Sequence, residues 1–301
     1  MSYPTHRRHG SVLVFDGPSS NLQATQALFS EADRLGIGPE NIICTGDIVA
    51  YCGSPRETVD LIREKGVTVI QGNCEQSIGN DSDECSCGYD PNSICDLLSR
   101  QWHAYARTQL DDETKAWLRR LPRQMVLEIG GRRLAVVHGH FGTLSPNLTF
   151  YPSTPRNRKA SEIDAFGADG IIVGHTGLPF VELVGTRLWL NTGNIGFPAN
   201  DGTPRGWYGL IHEREEGLEI EIRALHYEYK TAVHVMRANG LDNAYADALE
   251  TGVWPGMDGV PEPDRAGRGR PLHERRLMWP GRISAGPDPV AGERVTTSVE
   301  P

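Results

Sequence analysis

The stretch Asn41-Ile-Ile-Cys-Thr-Gly-Asp47 decides the fold. It is a short apolar run that stops in Gly-Asp, the form of a buried strand that delivers a polar residue to a sheet edge. Upstream, Ser11-Val-Leu-Val-Phe-Asp16 has the same form. Between the two, Leu22, Leu28, Ala32 and Leu35 share one face at helical spacing, which predicts a helix over 21–35. Downstream, residues 56–65 read as a helix and Val67-Thr-Val-Ile-Gln71 as a third strand, which runs into Gly72-Asn-Cys-Glu75. Short strands in the order β-α-β-α-β predict parallel pairing with helices on the sheet faces.

The pattern continues with helices over 92–109 and 112–120, then a hairpin of 124–128 with 133–138 joined at Gly130-Gly131. Strands follow at 170–173, 180–184, 187–191, 207–213 and 218–225, with turn signals at Gly185 and Glu216-Gly217. Two later strands end in His138-Gly-His140 and Gly174-His175-Thr-Gly177. A single Gly-Asp is usually a turn, and a single His after a strand is usually structural. An ordered series of Asp16, Asp47, Asn73, His138 and His175 at successive strand ends is different, because those ends share one edge of the sheet. Carboxylate, amide oxygen and imidazole together suit hard-to-borderline divalent metals. The glycines before Asp47, Asn73 and His175 allow close backbone approach.

These motifs resemble the calcineurin-like metallophosphoesterases, in particular the small bacterial branch of YfcE-type phosphodiesterases. That family carries Asp-x-His, Gly-Asp, Gly-Asn-His-Asp/Glu, His-Gly and Gly-His-x-His in this order. The matching stretches are Asp16-Gly17-Pro18, Gly46-Asp47, Gly72-Asn73-Cys74-Glu75, His138-Gly139 and Gly174-His175-Thr176-Gly177. Asn191-Thr-Gly-Asn-Ile-Gly-Phe-Pro198 is similar to the family's Asn-Pro-Gly-Ser-Val-Gly block, and the resemblance extends over about residues 11–225. It implies a four-layer α/β/β/α sandwich. It also implies hydrolysis of a phosphomonoester or phosphodiester by a metal-activated water, with Asp47, Asn73, Cys74 and His138 at the catalytic centre.

Pro18, Cys74 and Gly177 stand where the family keeps histidines. Carried over, the resemblance leaves one complete metal site, Asp47, Asn73, His138 and His175. The other site keeps only Asp16 and Asp47. The expected metal is Mn, Fe, Zn or Ni. His140 is a candidate to turn towards the depleted site and bind substrate, or to remain a loop residue. Cys74 is a candidate thiolate ligand, or a small buried residue in place of a transition-state donor. Arg205, after a Gly-Thr-Pro turn, is a candidate phosphate fork or a surface ion pair. Tyr51, Phe141 and Trp207 are candidates to stack on a nucleoside or to fill the core.

Cys74, Cys85, Cys87 and Cys95 fall within 22 residues, with 10, 1 and 7 residues between them. The spacing matches no common zinc or iron–sulfur motif, but the density leaves a structural zinc or an iron–sulfur cluster open. This underlies a second functional expectation: a catalytically weakened member of the fold serving as a metal, redox or ligand-binding module.

The chain has 301 residues, 38% of them hydrophobic and 23% charged, with a net charge of −9. That is the composition of a globular protein, and its negative charge argues against nucleic acid as the main partner. A phosphorylated small molecule fits better, and a homo-oligomer is compatible with the composition. There is no long apolar run for a membrane span, and no apolar segment behind the first ten residues for a secretory signal, so the expected location is cytoplasmic. Residues 256–301 hold seven Gly, seven Pro and seven Arg. They divide the chain into a domain over 1–255, with a Cys-bearing insertion at about 75–95, and a partly disordered extension.

Overall fold

The structure is a computed structural model and describes residues 3–85, 87–140 and 149–281. The candidate Phe141 lies outside the described residues, as do 282–301. Among the described residues, twelve strands form two six-stranded sheets. In chain order they are β1 (Thr5–Arg7), β2 (Ser11–Phe15), β3 (Ile42–Cys44), β4 (Thr68–Val69), β5 (Gln124–Ile129) and β6 (Arg132–Val137). The others are β7 (Gly170–Val173), β8 (Phe180–Val184), β9 (Arg187–Asn191), β10 (Gly206–Arg214), β11 (Gly217–Leu225) and β12 (Arg275–Pro280). One sheet runs β1-β5-β6-β7-β9-β8 and the other β12-β11-β10-β2-β3-β4.

The alternation of β2 shows how the layers are built. Val12 and Val14 point into a core shared with Leu127, Leu134, Ile172 and Leu190 of the opposite sheet. Leu13 and Phe15 point the other way, against helices α1 (Leu22–Arg34), α2 (Pro55–Lys65), α3 (Asn73–Gly79) and α4 (Ile94–Gln109). α5 (Asp112–Arg120) adds Leu118 to that outer core. On the far side, α6 (Arg156–Phe166) sets Ile163 against Ala135, Ile171 and Trp189. The result is helix, sheet, sheet, helix. The sandwich and the Gly130-Gly131 hairpin of β5 with β6 are as the sequence predicts. No helix among the described residues is long and apolar enough to cross a membrane.

After β11 come α7 (Tyr229–Ala238), α8 (Ala244–Thr251) and the short α9 (Glu262–Arg265). β12 lies inside the segment that composition sets apart as an extension, yet it pairs antiparallel with β11 from Gly217↔Pro280 to Ile222↔Arg275. Trp279, 1% exposed, donates its Nε1–H to the carbonyl of Thr186 at 2.8 Å. A residue at the edge of one sheet thereby ties into the β8–β9 turn of the other.

Parallel pairs bring the site together. β2, β3 and β4 run parallel in one sheet, and β6, β7 and β9 in the other, so their carboxyl ends lie at one edge of each. The edges are joined where Asp16 bridges to Asn194. Within each edge, Gly17 N–H donates to Gly46 O at 3.0 Å, and Gly174 N–H to His138 O at 2.7 Å.

Candidate metal centre

Each ligand sits one to four residues beyond a strand. Asp47 follows β3 through Gly46, whose φ is +116° and whose Cβ, if present, would come 2.8 Å from His138 Nδ1. Only glycine fits there. Asp47 and His175 are themselves left-handed, with φ of +52° and +69°. Such strain in non-glycine residues collects where surrounding structure imposes a functional geometry.

Glu75, fully buried on α3, imposes it on Asp47. Its Oε2 accepts the N–H of Asp47 at 2.8 Å and that of Gly72 at 2.9 Å, and its Oε1 accepts the N–H of Val49 at 3.2 Å. Asp16 does the same for His175: its Oδ2 accepts the His175 N–H at 2.8 Å while its Oδ1 accepts Thr45 Oγ1–H at 2.8 Å.

His138 Nδ1 lies 2.9 Å from the carbonyl of Thr45. A carbonyl only accepts, so Nδ1 carries the proton and Nε2 faces the cluster. Around that Nε2 stand Asn73 Oδ1 at 3.1 Å, His175 Nδ1 at 3.1 Å and Asp47 Oδ2 at 3.4 Å. Asp47, His138 and His175 form a group with ligand atoms all within 4.8 Å of one another. Electron-pair donors converging this closely could hold a cation between them.

The charges of the site suit a cation. Burial opposes a charge on His138, but the Asp47 and Asp16 carboxylates outweigh it and hold the imidazole pKa well above its usual value. Burial would raise the Asp47 pKa, yet the His138 cation brings it down to about 2. Burial, and then the His138 charge, press His175 down to about 4, so it is neutral. A divalent ion held there would compete with a proton for His138 Nε2. Carboxylate, amide oxygen and two imidazoles are a donor set for a borderline divalent ion.

The site therefore brings together Asp47, Asn73, His138 and His175. Asp16 lies beneath them as a brace and is outside the metal-competent group. Cys74 is 1% exposed, and burial followed by the Asp47 charge raises its thiol pKa well above the ordinary value.

Three expectations are corrected. His140 is turned away: Nε2 pairs with Glu162 Oε2 at 3.1 Å and the ring stacks on Phe150. Arg205 is committed to Asp201 at 3.1 Å, to Thr203 Oγ1 at 2.9 Å and to the face of Trp207, itself fully buried. Its guanidinium closes a turn and does not reach the site. Cys85 and Cys87 are joined by a disulfide, which removes two of the four thiolates that a zinc or iron–sulfur centre with Cys74 and Cys95 would need.

Residues 5–216 match the model of the calcineurin-like phosphoesterase superfamily domain. The chain belongs to this superfamily. Among its relatives is an uncharacterized protein of Methanocaldococcus jannaschii, 26% identical over 257 residues, which span 80% of this chain and 98% of the relative. A metallophosphoesterase of Sphaerobacter thermophilus superposes with a TM-score of 0.61 at 24% identity, covering 82% of this chain and all of that one. A hypothetical protein of Pyrococcus horikoshii superposes with a TM-score of 0.67 at 20% identity, covering 81% and 99%. At these identities the structural likeness carries the fold, and the phosphoesterase fold implies a divalent metal.

Sequence patterns missed Glu75 and Thr45 as positioning residues. Glu75 carried a signal, as the acid three residues into a helix that opens on Gly72, where a carboxylate caps free N–H groups. Thr45 acts through its main chain, for which side-chain patterns hold no signal.

Proposed function

We propose that this phosphoesterase-superfamily chain hydrolyses a phosphomonoester or phosphodiester of a small molecule, using a divalent metal held by Asp47, Asn73, His138 and His175. The observation that carries the reading is the convergence of those donors around His138 Nε2, at the wall of a cavity of about 370 Å³ that Asp47, Asn73, Cys74 and His175 help to line. The chemistry such a metal supplies is Lewis-acid polarisation of the phosphoryl oxygen and acidification of water.

The chain's own residues prepare that chemistry. The Thr45 carbonyl fixes the His138 tautomer, Glu75 fixes the Asp47 loop and Asp16 fixes the His175 main chain. In hydrolysis a water oxygen bonds to phosphorus, the ester P–O bond breaks, the water proton passes to solvent and the departing oxygen gains a proton. Cys74 stands where the family keeps a histidine, and a neutral thiol is a weak donor for that last transfer. The expected enzyme is accordingly slow, by about 10²–10⁴, the contribution of a general acid.

The test is phosphate-ester turnover with Mn by the full chain. Turnover on a model phosphodiester that Asp47→Asn and His175→Ala each abolish supports the reading. Absence of turnover, with iron and labile sulfide found in anaerobically purified protein, overturns it in favour of a metal or redox module.

A further inference from the structure

We propose that Trp254 is a specificity-determining partition. It separates the cavity at the metal centre from a second, apolar cavity, and so restricts the substrate to phosphate esters with a compact organic group. The inference rests on the hydrolase reading for the phosphate end of the ligand only.

Two cavities lie side by side. The first, of about 370 Å³, is the one that Asp47, Asn73 and His175 help to line. The second, of about 210 Å³, is lined in part by Leu178, Pro179, Ala199, Met257 and Leu272. Among the described residues, Trp254 and Val260 alone line both. The chain passes from one cavity to the other in a single step. His175, Thr176 and Gly177 face the first, and Leu178 and Pro179 face the second. The indole stands at that step, two residues beyond the metal-competent His175. A Cβ on Gly177 would come 3.3 Å from Trp254 Cζ2, tighter than side chains ordinarily pack. Gly177 also has a φ of +67°, which glycine adopts without strain. A residue without a side chain at 177 therefore makes room for the indole.

The partition is tied in place. Trp254 donates its Nε1–H to the Pro198 carbonyl at 2.6 Å and its main-chain N–H to Asn200 Oδ1 at 2.8 Å. Its own carbonyl accepts from Arg268 Nη2 at 3.0 Å. Val260 is 4% exposed, and its carbonyl accepts from Arg265 Nε at 2.8 Å. The indole cannot swing aside without giving up the Pro198 bond, so it acts as a wall and not as a lid. The wall comes from the stretch after α8, at the point where composition alone would end the domain.

The second cavity is chemically different from the first. Its polar groups are already used: Asn200 and Arg268 hold Trp254, and Asp264 Oδ1 accepts the Ser153 N–H at 3.1 Å. What remains is apolar surface, suited to an apolar extension of an ester if the indole did not stand between. The first cavity alone is near the small end of ligand sites, with room for a phosphoryl group and one compact organic group.

The experiment is calorimetric binding of phenylphosphonate and biphenyl-4-phosphonate to the full-length chain in Mn. Their P–C bonds are not hydrolysed, so binding is read apart from turnover. The parent should bind phenylphosphonate about tenfold more tightly or better, the scale on which a pocket wall discriminates by size. Trp254→Ala joins the cavities and should abolish that preference, and Trp254→Leu, a milder truncation, should reduce it. Trp254→Phe, which keeps a ring, should retain most of it. Circular dichroism matching the parent shows that each variant is folded, and a purely structural role for Trp254 would weaken both probes alike. Equal affinity of the parent for the two probes, failure of the parent to bind phenylphosphonate, or a preference unchanged in the alanine and leucine variants overturns the proposal. The two readings fail separately. Size-selective binding without turnover of a phosphate ester in Mn leaves the partition standing and removes the hydrolase. Turnover with no size preference does the reverse.

Discussion

Glu75 accepts the backbone N–H of Asp47 at 2.8 Å, so the carboxylate of one buried acid holds the main chain of another. Burial, and then the Asp47 charge, raise the Glu75 pKa to about 7. The cost of that arrangement is offset by three main-chain N–H donors. Glu75→Gln keeps the shape but turns an NH₂ towards N–H groups. Partners of this kind behind metal ligands are typically worth 10–100-fold in affinity. The expected outcome is a fall of that size in Mn or Zn affinity, measured by calorimetry. Unchanged affinity would remove Glu75 as a positioning residue.

Cys74 lines the cavity and is one of the three positions, with Pro18 and Gly177, where the resemblance to the family leads one to expect a histidine. Cys74→His puts a stronger donor beside Asp47, with the cavity to receive the larger ring. Phosphate-ester turnover in Mn is expected to rise about 10- to 100-fold, part of the range for general-acid catalysis. The gain should appear in kcat. If turnover is unchanged while the variant is folded and binds metal, the thiol is not what limits the reaction.

The candidate metal centre was legible because the residues that could hold a metal follow strand ends: a short apolar run, a glycine, then Asp47, Asn73 or His175. Gly46 explains why the code is local, since His138 Nδ1 occupies the space its side chain would take. Arg205 misled for the converse reason. Its turn resembles a site-closing block, but Asp201 four residues earlier absorbs its charge. Asn194, α6, α7, α8 and β12 carried little signal. β12 buries only Trp279 of its six residues, so no periodicity marks it. The Cys-bearing stretch hid α3, which begins at Asn73 itself, because polar and small residues obscure its helical pattern.

His103 gives a pH dependence away from the metal. It is 1% exposed, and its Nε2 lies 2.9 Å from Ser77 Oγ, which donates its own hydrogen to the Glu84 carbonyl. Burial, and then the Arg107 charge, lower its pKa from 6.5 to about 4. The unfolded chain therefore binds the proton first as pH falls. Stability from this group is complete above about pH 6.5 and is lost progressively towards pH 4. The loss is of the order of 1–3 kcal/mol. Urea unfolding should show this slope in the parent and a flatter one in His103→Gln. Parallel pH curves would contradict the assignment.

Trp279 tests whether the segment after residue 256 belongs to the fold. Its ring is 1% exposed, lies under the guanidinium of Arg132 at 4.5 Å, and donates to the Thr186 carbonyl across the two sheets. Trp279→Ala removes a large side chain from the edge of the central core and leaves that carbonyl to water. A loss of about 3–5 kcal/mol is expected for a buried tryptophan. Trp279→Phe should recover most of it, because the ring contact returns and only the hydrogen bond is missing, at about 1 kcal/mol. Denaturant midpoints of the three proteins measure both steps. A loss below about 1 kcal/mol for the alanine variant would mean that β12 adds little to the sandwich, and that the composition of this segment, poor in apolar residues, describes it better than its pairing with β11.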